Sequence, residues 1–345
     1  MNGSRNASAK KQRQDWQLSA DMLYLNEEDL LALGADWSRL ADTVTNALSS
    51  MSAGDYVQPL KPYLRFKNPA NRIIAMPAYI GGAFNAAGIK WIASFPTNPS
   101  FGIPRAHSVV VLNDAATGQP VAFINSPLLS IMRTAAVSAV MLRRWLELPG
   151  QHHDRPLNVG LIGCGPIGQW HARMLTVILG SRLGKLTTYD LSPDRARQAA
   201  STAGSAGAVA ANWEEAYCGS DIILTCTVSG SRYIDAPPSP GSLLLHVSLR
   251  DYQPSALSSI ETIVVDDWDE ICRENTDIEQ MHLTAGLERE QTIALSEAVF
   301  GDKLLSMPKE GSLLFSPMGM AIFDIAVAAY TVELARDRGI GLELK

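Results

Sequence analysis

Long apolar runs are missing from this chain of 345 residues, although a helix that crosses a membrane needs about 20 consecutive apolar residues. Positive charge is also scarce, because 29 lysine and arginine residues stand against 35 acidic ones and the net charge is −6. Proteins that bind nucleic acids or membrane surfaces normally carry an excess of basic residues. We therefore predict neither a nucleic-acid nor a membrane partner. The first 20 residues are polar and basic, which predicts a disordered leader at 1–20 rather than a secretory signal or transit peptide.

The sequence also lacks the usual signals for disulfides and metals. Its four cysteines show no C-x-x-C spacing, and its six histidines form no H-E-x-x-H pattern. Paired spacings of this kind are typical of disulfide frameworks and zinc sites. We therefore predict no metal, and reduced thiols in a cytoplasmic protein.

Two textures of secondary structure divide the chain. After a helix capped by Asn26, the stretch 56–126 contains short strand-like runs separated by Gly, Pro and Asn, and a long helix with Ser130 at its cap follows. From 157 to 316, strands alternate with helices, which is typical of a doubly wound parallel sheet. The predicted fold class is α/β, with a Rossmann sheet at 136–316 inserted into an α+β domain. That domain combines 21–135 with the final apolar helix, in 317–345.

A glycine-rich turn lies between a predicted strand and a predicted helix. Gly163, Gly165 and Gly168 form G-x-G-x-x-G, where glycines permit the turn, the approach of a pyrophosphate and close helix–strand packing. Asp190 ends the next strand, where an acid accepts bonds from a ribose and repels a 2′-phosphate, so NAD is favoured over NADP. Thr227 follows a later strand at the same edge. A turn without ligand, or the adenylate site of a methyltransferase, is the alternative.

Basic residues dominate the stretch 56–133, where Asp114 is the only acid. This asymmetry predicts a site for a small polyanion, because guanidinium and ammonium groups bind carboxylates; a solvated basic face is the alternative. Lys90 lies among apolar strand residues and Arg133 lies in an apolar helix, so these two are the strongest candidates. The remaining basic residues of the stretch are Lys61, Arg65, Lys67, Arg72 and Arg105, of which Lys67 is predicted to be on the surface.

Together, the two features predict a nicotinamide enzyme that acts on an amine with several carboxylates. A desolvated lysine among cations has a lowered pKa and handles a proton at the amine. A carboxylate would assist attack of water on the oxidised carbon, and the candidates near the predicted crevice are Asp251, Asp266 and Asp267. Asp324, in the final helix, is predicted to be the structural partner of an arginine.

The motifs "GIKW", "RTAAVSA", "GCGPIG" and "PMGMAIFDIA" occur in an order and spacing that resembles the ornithine cyclodeaminase/mu-crystallin family. The stretches "RIIAMPAYIGG" and "GIKWIASFPTNPS" are more similar to the branch that forms 2,3-diaminopropionate. The resemblance implies a Rossmann domain inserted into a substrate-binding and dimerisation domain, and a homodimer. It also implies NAD-dependent oxidation of N-(2-amino-2-carboxyethyl)-L-glutamate, followed by hydrolysis to L-2,3-diaminopropionate and 2-oxoglutarate for a siderophore or peptide-antibiotic pathway.

The resemblance also implies roles for individual residues. The residue matching Lys90 binds substrate and handles a proton, and the residue matching Arg133 contacts a substrate carboxylate and the cofactor. Lys61 replaces an arginine of the family, and Asp251 is offset by about one residue from the family's catalytic aspartate. We predict Lys90 and Asp251 as catalytic, and Lys61, Arg65, Lys90, Arg105 and Arg133 as substrate-binding. The predicted cofactor-binding residues are Arg133, Thr134, Gly163, Gly165, Pro166, Ile167, Gly168, Asp190, Thr227, Ser248 and Met318.

Two other classes of function stay open at this point. One is a different family reaction, such as ornithine cyclisation, imine reduction or alanine dehydrogenation. The other is a non-catalytic, crystallin-like ligand-binding protein, although Lys90, Arg133, the glycine turn and the candidate acids are all present.

Overall fold

The computed structural model describes residues 22–148 and 155–345, so the predicted leader lies outside the described residues. The strands are β1 Met22–Leu25, β2 Tyr56–Val57, β3 Tyr63–Arg65, β4 Arg72–Ile80, β5 Ala86–Ser94, β6 Ala106–Asp114, β7 Pro120–Asn125, β8 Leu157–Ile162, β9 Leu183–Tyr189, β10 Gly207–Val209, β11 Ile222–Thr225, β12 Leu243–His246, β13 Thr262–Val265, β14 Thr292–Ala294, β15 Leu313–Ser316 and β16 Leu342–Leu344. The helices are α1 Glu27–Leu33, α2 Trp37–Ser52, α3 Leu128–Glu147, α4 Pro166–Leu179, α5 Pro193–Ser201, α6 Trp213–Tyr217, α7 Pro254–Leu257, α8 Trp268–Ile271, α9 Asp277–Ala285, α10 Leu295–Phe300 and α11 Ala321–Arg338.

The first sheet has the order β16-β1-β7-β6-β5-β4-β2, and β3 also pairs with β4. Its neighbours are antiparallel except for the parallel pair β1–β7. Two short strands, β2 and β3, lie on either side of Pro59 and Pro62, because proline has no N–H to donate to a strand ladder. Alternation along β5 buries Lys90 and leaves Trp91 41% exposed, as the two-residue period of a strand predicts.

The second sheet has the order β10-β9-β8-β11-β12-β15-β13-β14, and every neighbouring pair is parallel. Its central strands β11, β12, β13 and β15 are buried at every residue, which is typical of a parallel sheet covered on both faces. The fold is therefore the expected α/β class with a Rossmann-like sheet. All of its strands lie within 157–316; the domain bounds themselves remain our prediction.

After β15 the chain leaves the second sheet, and the final helix α11 packs on the first sheet, against β4 and β5. Gly88 of β5 leaves no room for a side chain, because a Cβ there would lie 2.3 Å from the Val111 carbonyl oxygen of β6 and 3.0 Å from Cδ1 of Ile325 on α11. The docked helix brings Asp324 to the buried side of β5. No helix among the described residues is long and apolar enough to cross a membrane.

Helix α3 begins earlier than predicted. Its N-cap is Pro127, and the Ser126 hydroxyl accepts a hydrogen bond from the Leu128 N–H at 3.0 Å. Ser130 is therefore not the cap, because Ser126 already satisfies a free N–H of the first turn. By contrast, Asn26 caps α1 as predicted, in a capping box with Asp29.

Candidate active site

A cleft of about 770 Å³ lies between the two sheets. On the side of the first sheet, the cleft is lined by side chains from strands β3 to β5, helix α3 and the loop before β6. On the side of the second sheet, it is lined by side chains that follow β8, β11, β12 and β15. The predicted residues that line it are Lys61, Arg65, Lys90, Arg105, Arg133, Thr134, Ile167, Thr227, Ser248, Asp251 and Met318. Residues distant in the sequence are thus brought together in one cavity.

Lys90, at the centre of this cleft, is only 2% exposed. Its Nζ donates to Oδ2 of Asp324 at 2.8 Å and to Oγ of Ser130 at 3.2 Å. The other oxygen of Asp324, Oδ1, accepts from Nε of Arg133 at 2.8 Å. One fully buried carboxylate therefore holds the two strongest candidates of the sequence analysis side by side, and Asp324 is an arginine partner as predicted.

Burial, followed by the charge of Arg133, lowers the pKa of Lys90 to about 7, against the opposing effect of Asp324. A buried ammonium loses hydration, which favours the neutral amine. Near neutral pH, Lys90 therefore exists in both protonation states and has the chemistry of a proton acceptor and donor.

The turn Pro317–Met318–Gly319 forms one wall of the cleft beside Arg133. A Cβ at Gly319, whose φ is +87°, would lie 2.9 Å from Nη1 of Arg133, so glycine leaves room for the guanidinium. Asp266 holds this turn, because its carboxylate accepts from the N–H groups of Met318 at 2.9 Å and Gly319 at 2.7 Å.

Asp266 and Asp267 are not among the described residues that line the cleft, whereas Asp251 is, so neither is placed to activate water, which corrects the sequence-based expectation. The carboxylate of Asp266 is committed to backbone N–H groups, and burial raises its pKa. Asp267 caps α8 by accepting from the Glu270 N–H at 3.0 Å. An acid that follows a buried strand serves a turn or a cap as readily as a reaction.

Lys61 is a second buried lysine in the cleft, 3% exposed. Its Nζ lies 3.7 Å from Oε2 of Glu270 and 3.5 Å from the carbonyl oxygen of Met318. Burial lowers its pKa, while the charge of Glu270 raises it. The ammonium is thus held by one loose ion pair and one long hydrogen bond.

Asp251 lies on the opposite wall, after β12, with its carboxylate buried. The hydroxyls of Thr227 and Ser248 donate to its two oxygens. Leu249, between Ser248 and Asp251, has a φ of +69°, an unusual conformation for leucine. Asp277 stabilises the segment, because its Oδ2 accepts from the Tyr252 N–H at 2.9 Å and pairs with Nε2 of His246 at 2.8 Å.

The glycine turn fits a dinucleotide. Gly163 has a φ of +92°, and a Cβ there would lie 2.6 Å from the Cys226 carbonyl carbon. A Cβ at Gly168 would lie 2.1 Å from the Gly163 carbonyl oxygen, whereas one at Gly165 meets nothing within 4 Å. Gly165 is also the N-cap of α4, so this open space is at a helix N-terminus, where backbone N–H groups favour a phosphate.

Asp190 lies beside this turn, where its Oδ2 accepts from the Cys164 N–H at 2.7 Å. This is the position expected of the acid that binds a ribose. Thr225, at the end of β11, is fully buried and pairs with Nδ1 of His246 at 2.8 Å, so it is not exposed to the cleft as Thr227 is.

The cleft-lining residues that were not predicted as site residues include Arg72, Ser130, Arg250 and Glu274. Arg72 had a signal, because it belongs to the basic stretch with a single acid. Arg250 directly precedes Asp251, but charge composition alone does not separate it from a surface arginine. Ser130 and Glu274 carried no signal in the sequence.

The sequence pattern described as the "Ornithine cyclodeaminase/mu-crystallin family" matches residues 31–339. The N-((2S)-2-amino-2-carboxyethyl)-L-glutamate dehydrogenase of Staphylococcus aureus (strain NCTC 8325 / PS 47) is 33% identical over 343 residues, covering 95% of this chain and 99% of that protein. An archaeal alanine dehydrogenase dimer with bound NAD has a TM-score of 0.82 at 25% identity, covering 94% of this chain and 99% of that one. Thermococcus litoralis Delta(1)-pyrroline-2-carboxylate reductase, in complex with NADH and L-proline, shares the fold with a TM-score of 0.82 at 23% identity, covering 94% and 100%.

Proposed function

Because the chain belongs to the ornithine cyclodeaminase/mu-crystallin family, we propose that it oxidises N-(2-amino-2-carboxyethyl)-L-glutamate and releases 2-oxoglutarate and L-2,3-diaminopropionate. The chain is an NAD-dependent oxidoreductase that acts on a CH–NH group of an amino-acid substrate. The observation that carries the specific reaction is Lys90, a buried lysine with a pKa near 7 in a cleft lined by other cations.

The charges of the cleft favour a substrate with several carboxylates. Seven cationic side chains among the described residues line it, against the two carboxylates of Asp251 and Glu274. The proposed substrate has three carboxylates, whereas ornithine has one carboxylate and two ammonium groups, which the cations would repel. The cations are Lys61, Arg65, Arg72, Lys90, Arg105, Arg133 and Arg250.

The residues of the glycine turn, with Asp190 at the ribose and Thr134, Thr227, Ser248 and Met318 nearby, are proposed to hold NAD. Bound NAD supplies the acceptor for the hydride that leaves the carbon beside the substrate nitrogen. The chain's own residues have three further tasks: they bind the carboxylates, keep the reacting amine neutral, and activate water.

Arg133 is proposed to bind the carboxylate next to the reacting carbon, since its guanidinium faces the cleft while Nε stays on Asp324. The neutral form of Lys90 accepts the proton of the substrate amine, which frees the nitrogen lone pair for oxidation. As water adds to the resulting carbon–nitrogen double bond, Asp251 accepts a proton from it. The carbon–nitrogen bond then breaks as the nitrogen takes up a proton and the hydroxyl of the adduct loses one, giving a ketone and a primary amine.

We also propose the setting of the reaction. The four cysteines are unpaired in the structure, and unpaired thiols are typical of cytoplasmic proteins. A homodimer and a role in supplying L-2,3-diaminopropionate to a siderophore or peptide-antibiotic pathway complete the proposal.

The test is to incubate the purified protein with NAD and the glutamate conjugate and to follow NADH by absorbance. We expect NADH, 2-oxoglutarate and L-2,3-diaminopropionate in equal amounts. Ornithine and alanine, the substrates of the alternative family reactions, are tested under the same conditions. Ammonia release from ornithine without net NADH would identify a cyclodeaminase instead, and no turnover of any substrate with NAD still bound would indicate a binding protein.

A further inference from the structure

Three arginines from different parts of the chain line the cleft close enough to act on one another electrostatically: Arg72, Arg105 and Arg250, here termed the outer arginine group. Arg72 begins β4, Arg105 directly precedes β6, and Arg250 follows β12 of the other sheet. The group therefore draws on both sides of the cleft. None of its members is needed to hold Lys90 or Arg133.

The outer arginine group has too few counter-charges. Arg72 pairs with Oε2 of Glu274 at 3.2 Å, but this carboxylate is shared with Arg65. Arg250 bonds the carbonyl oxygen of Glu274, at 3.0 and 2.7 Å. Arg105 forms no ion pair within the described residues, and its buried Nε has no hydrogen-bond partner. Within residues 22–148 and 155–345, Arg72 is thus the one arginine of the three that is paired with a carboxylate.

The inner cations differ in this respect. Lys90 and Arg133 share Asp324, and Lys61 has Glu270. In the outer group, burial lowers the pKa of Arg105, and the charges of Arg72 and Arg250 lower it further. Burial and then Arg72 likewise lower the pKa of Arg250. Half-buried cations that repel one another are stabilised by an anion between them.

Glu274 indicates which anion suits this position. Its carboxylate already bonds Arg72 and Arg65 at the edge of the group, from a residue whose φ is +67°. Guanidinium groups match carboxylates in geometry, with two donors facing two oxygens. Among the described residues, Glu274 forms ion pairs with Arg65 and Arg72 but not with Arg105, whose buried Nε has no partner, so a second carboxylate, from a ligand, would complete the array.

We propose that the outer arginine group is a second carboxylate subsite, which binds a substrate carboxylate remote from the carbon that is oxidised. The subsite deepens the proposed function and rests on it for the identity of the substrate. It assigns specificity to Arg72, Arg105 and Arg250, whereas Arg133 serves the carboxylate next to the reacting carbon. Because Arg250 precedes Asp251, a remote carboxylate bound here also contacts the segment that carries the proposed base.

The experiment compares two ligands and needs no turnover. Binding of 2-oxoglutarate and of 2-oxopentanoate, which has the same chain length without the remote carboxylate, is measured by calorimetry on the NADH-loaded protein. We expect the dicarboxylate to bind about 10- to 100-fold more tightly, as for a charge-assisted pair. In Arg105→Gln this preference falls to within about threefold, while 2-oxopentanoate and NADH bind as before.

Two further variants separate the subsite from general charge and folding effects. Arg143→Gln removes a partly exposed arginine outside the cleft lining, which pairs with Asp42 among the described residues, so it retains the full preference. Arg105→Lys keeps the charge without the fork and gives an intermediate preference. Equal loss of both ligands in Arg105→Gln, or weaker NADH binding alone, would overturn the subsite. Failure of the glutamate conjugate as a substrate, with the ligand preference intact, would overturn only the proposed reaction.

Discussion

The cleft contains two buried lysines of similar exposure, 2% for Lys90 and 3% for Lys61, but they are held differently. Lys90 lies in the middle of β5, and its ammonium makes two defined hydrogen bonds, one of 2.8 Å to Asp324. Lys61 lies between β2 and β3, and its nearest carboxylate oxygen is 3.7 Å away. Burial is the largest cause of the lowered pKa in both.

The two lysines are suited to different tasks: Lys90 to transferring a proton, and Lys61 to binding a charge. A group that transfers a proton must stay within hydrogen-bond distance of the reacting atom, and a strand with a fixed partner provides that position. A loosely paired ammonium can instead turn from Glu270 towards a substrate carboxylate. We therefore expect Lys90 to govern kcat and Lys61 to govern KM.

The largest effect is expected for Lys90→Met, which keeps the length of the side chain and removes the amine. The value of kcat should fall by about 10²- to 10⁴-fold, the usual contribution of a positioned acid or base, while NAD binding is retained. Arg133 keeps Asp324 paired, so the fold survives. The matched variant Lys61→Met should mainly raise KM. Equal losses of kcat in the two variants would remove the distinction between the lysines.

A second effect concerns pH and the role of Asp324. Because neutral Lys90 is the active form, kcat/KM of the wild type should rise as the pH increases through about 7. Asp324 raises the pKa of Lys90, so Asp324→Asn should lower it and move this rise to lower pH. The variant also leaves Lys90 and Arg133 without their carboxylate, which should decrease the free energy of unfolding by about 3–5 kcal/mol.

Initial rates across pH and denaturant unfolding of both proteins check this prediction. An unchanged pH profile in a folded Asp324→Asn protein would mean that another group controls the rate. The Lys90→Met protein adds an internal control, because its residual activity should no longer rise through pH 7.

The smallest effect is expected for Lys61→Arg, which introduces a guanidinium fork at a position that binds charge. Two parallel hydrogen bonds to a carboxylate should lower KM about two- to fivefold, equivalent to about 0.5–1 kcal/mol, with kcat unchanged. Steady-state kinetics measure both constants. A higher KM would indicate that substrate binding depends on the small size of the ammonium group and not only on its positive charge.

Features that depend on neighbouring residues, such as burial along a strand and a glycine turn, could be predicted from local patterns in the sequence. The two-residue period of a strand predicted that Lys90 is buried, and the spacing of the glycines predicted the turn at Gly163. The pair Lys90–Asp324 joins residues 234 positions apart, and it exists only because α11 crosses back to the first sheet. A local sequence pattern cannot predict a pair so far apart. The same holds for the proximity of Arg250 and Arg72, which come from different sheets.

The position of α11, far beyond Lys90 and Arg133 in the sequence, has a consequence for synthesis. Lys90 and Arg133 leave the ribosome long before Asp324, and until then neither cation has its buried counter-charge. A chain that collapsed early would bury two unpaired cations, which is unfavourable. The nascent segments around Lys90 and Arg133 should therefore stay open and hydrated until Asp324 of α11 emerges, so that the reactive lysine is enclosed only after α11 has been made.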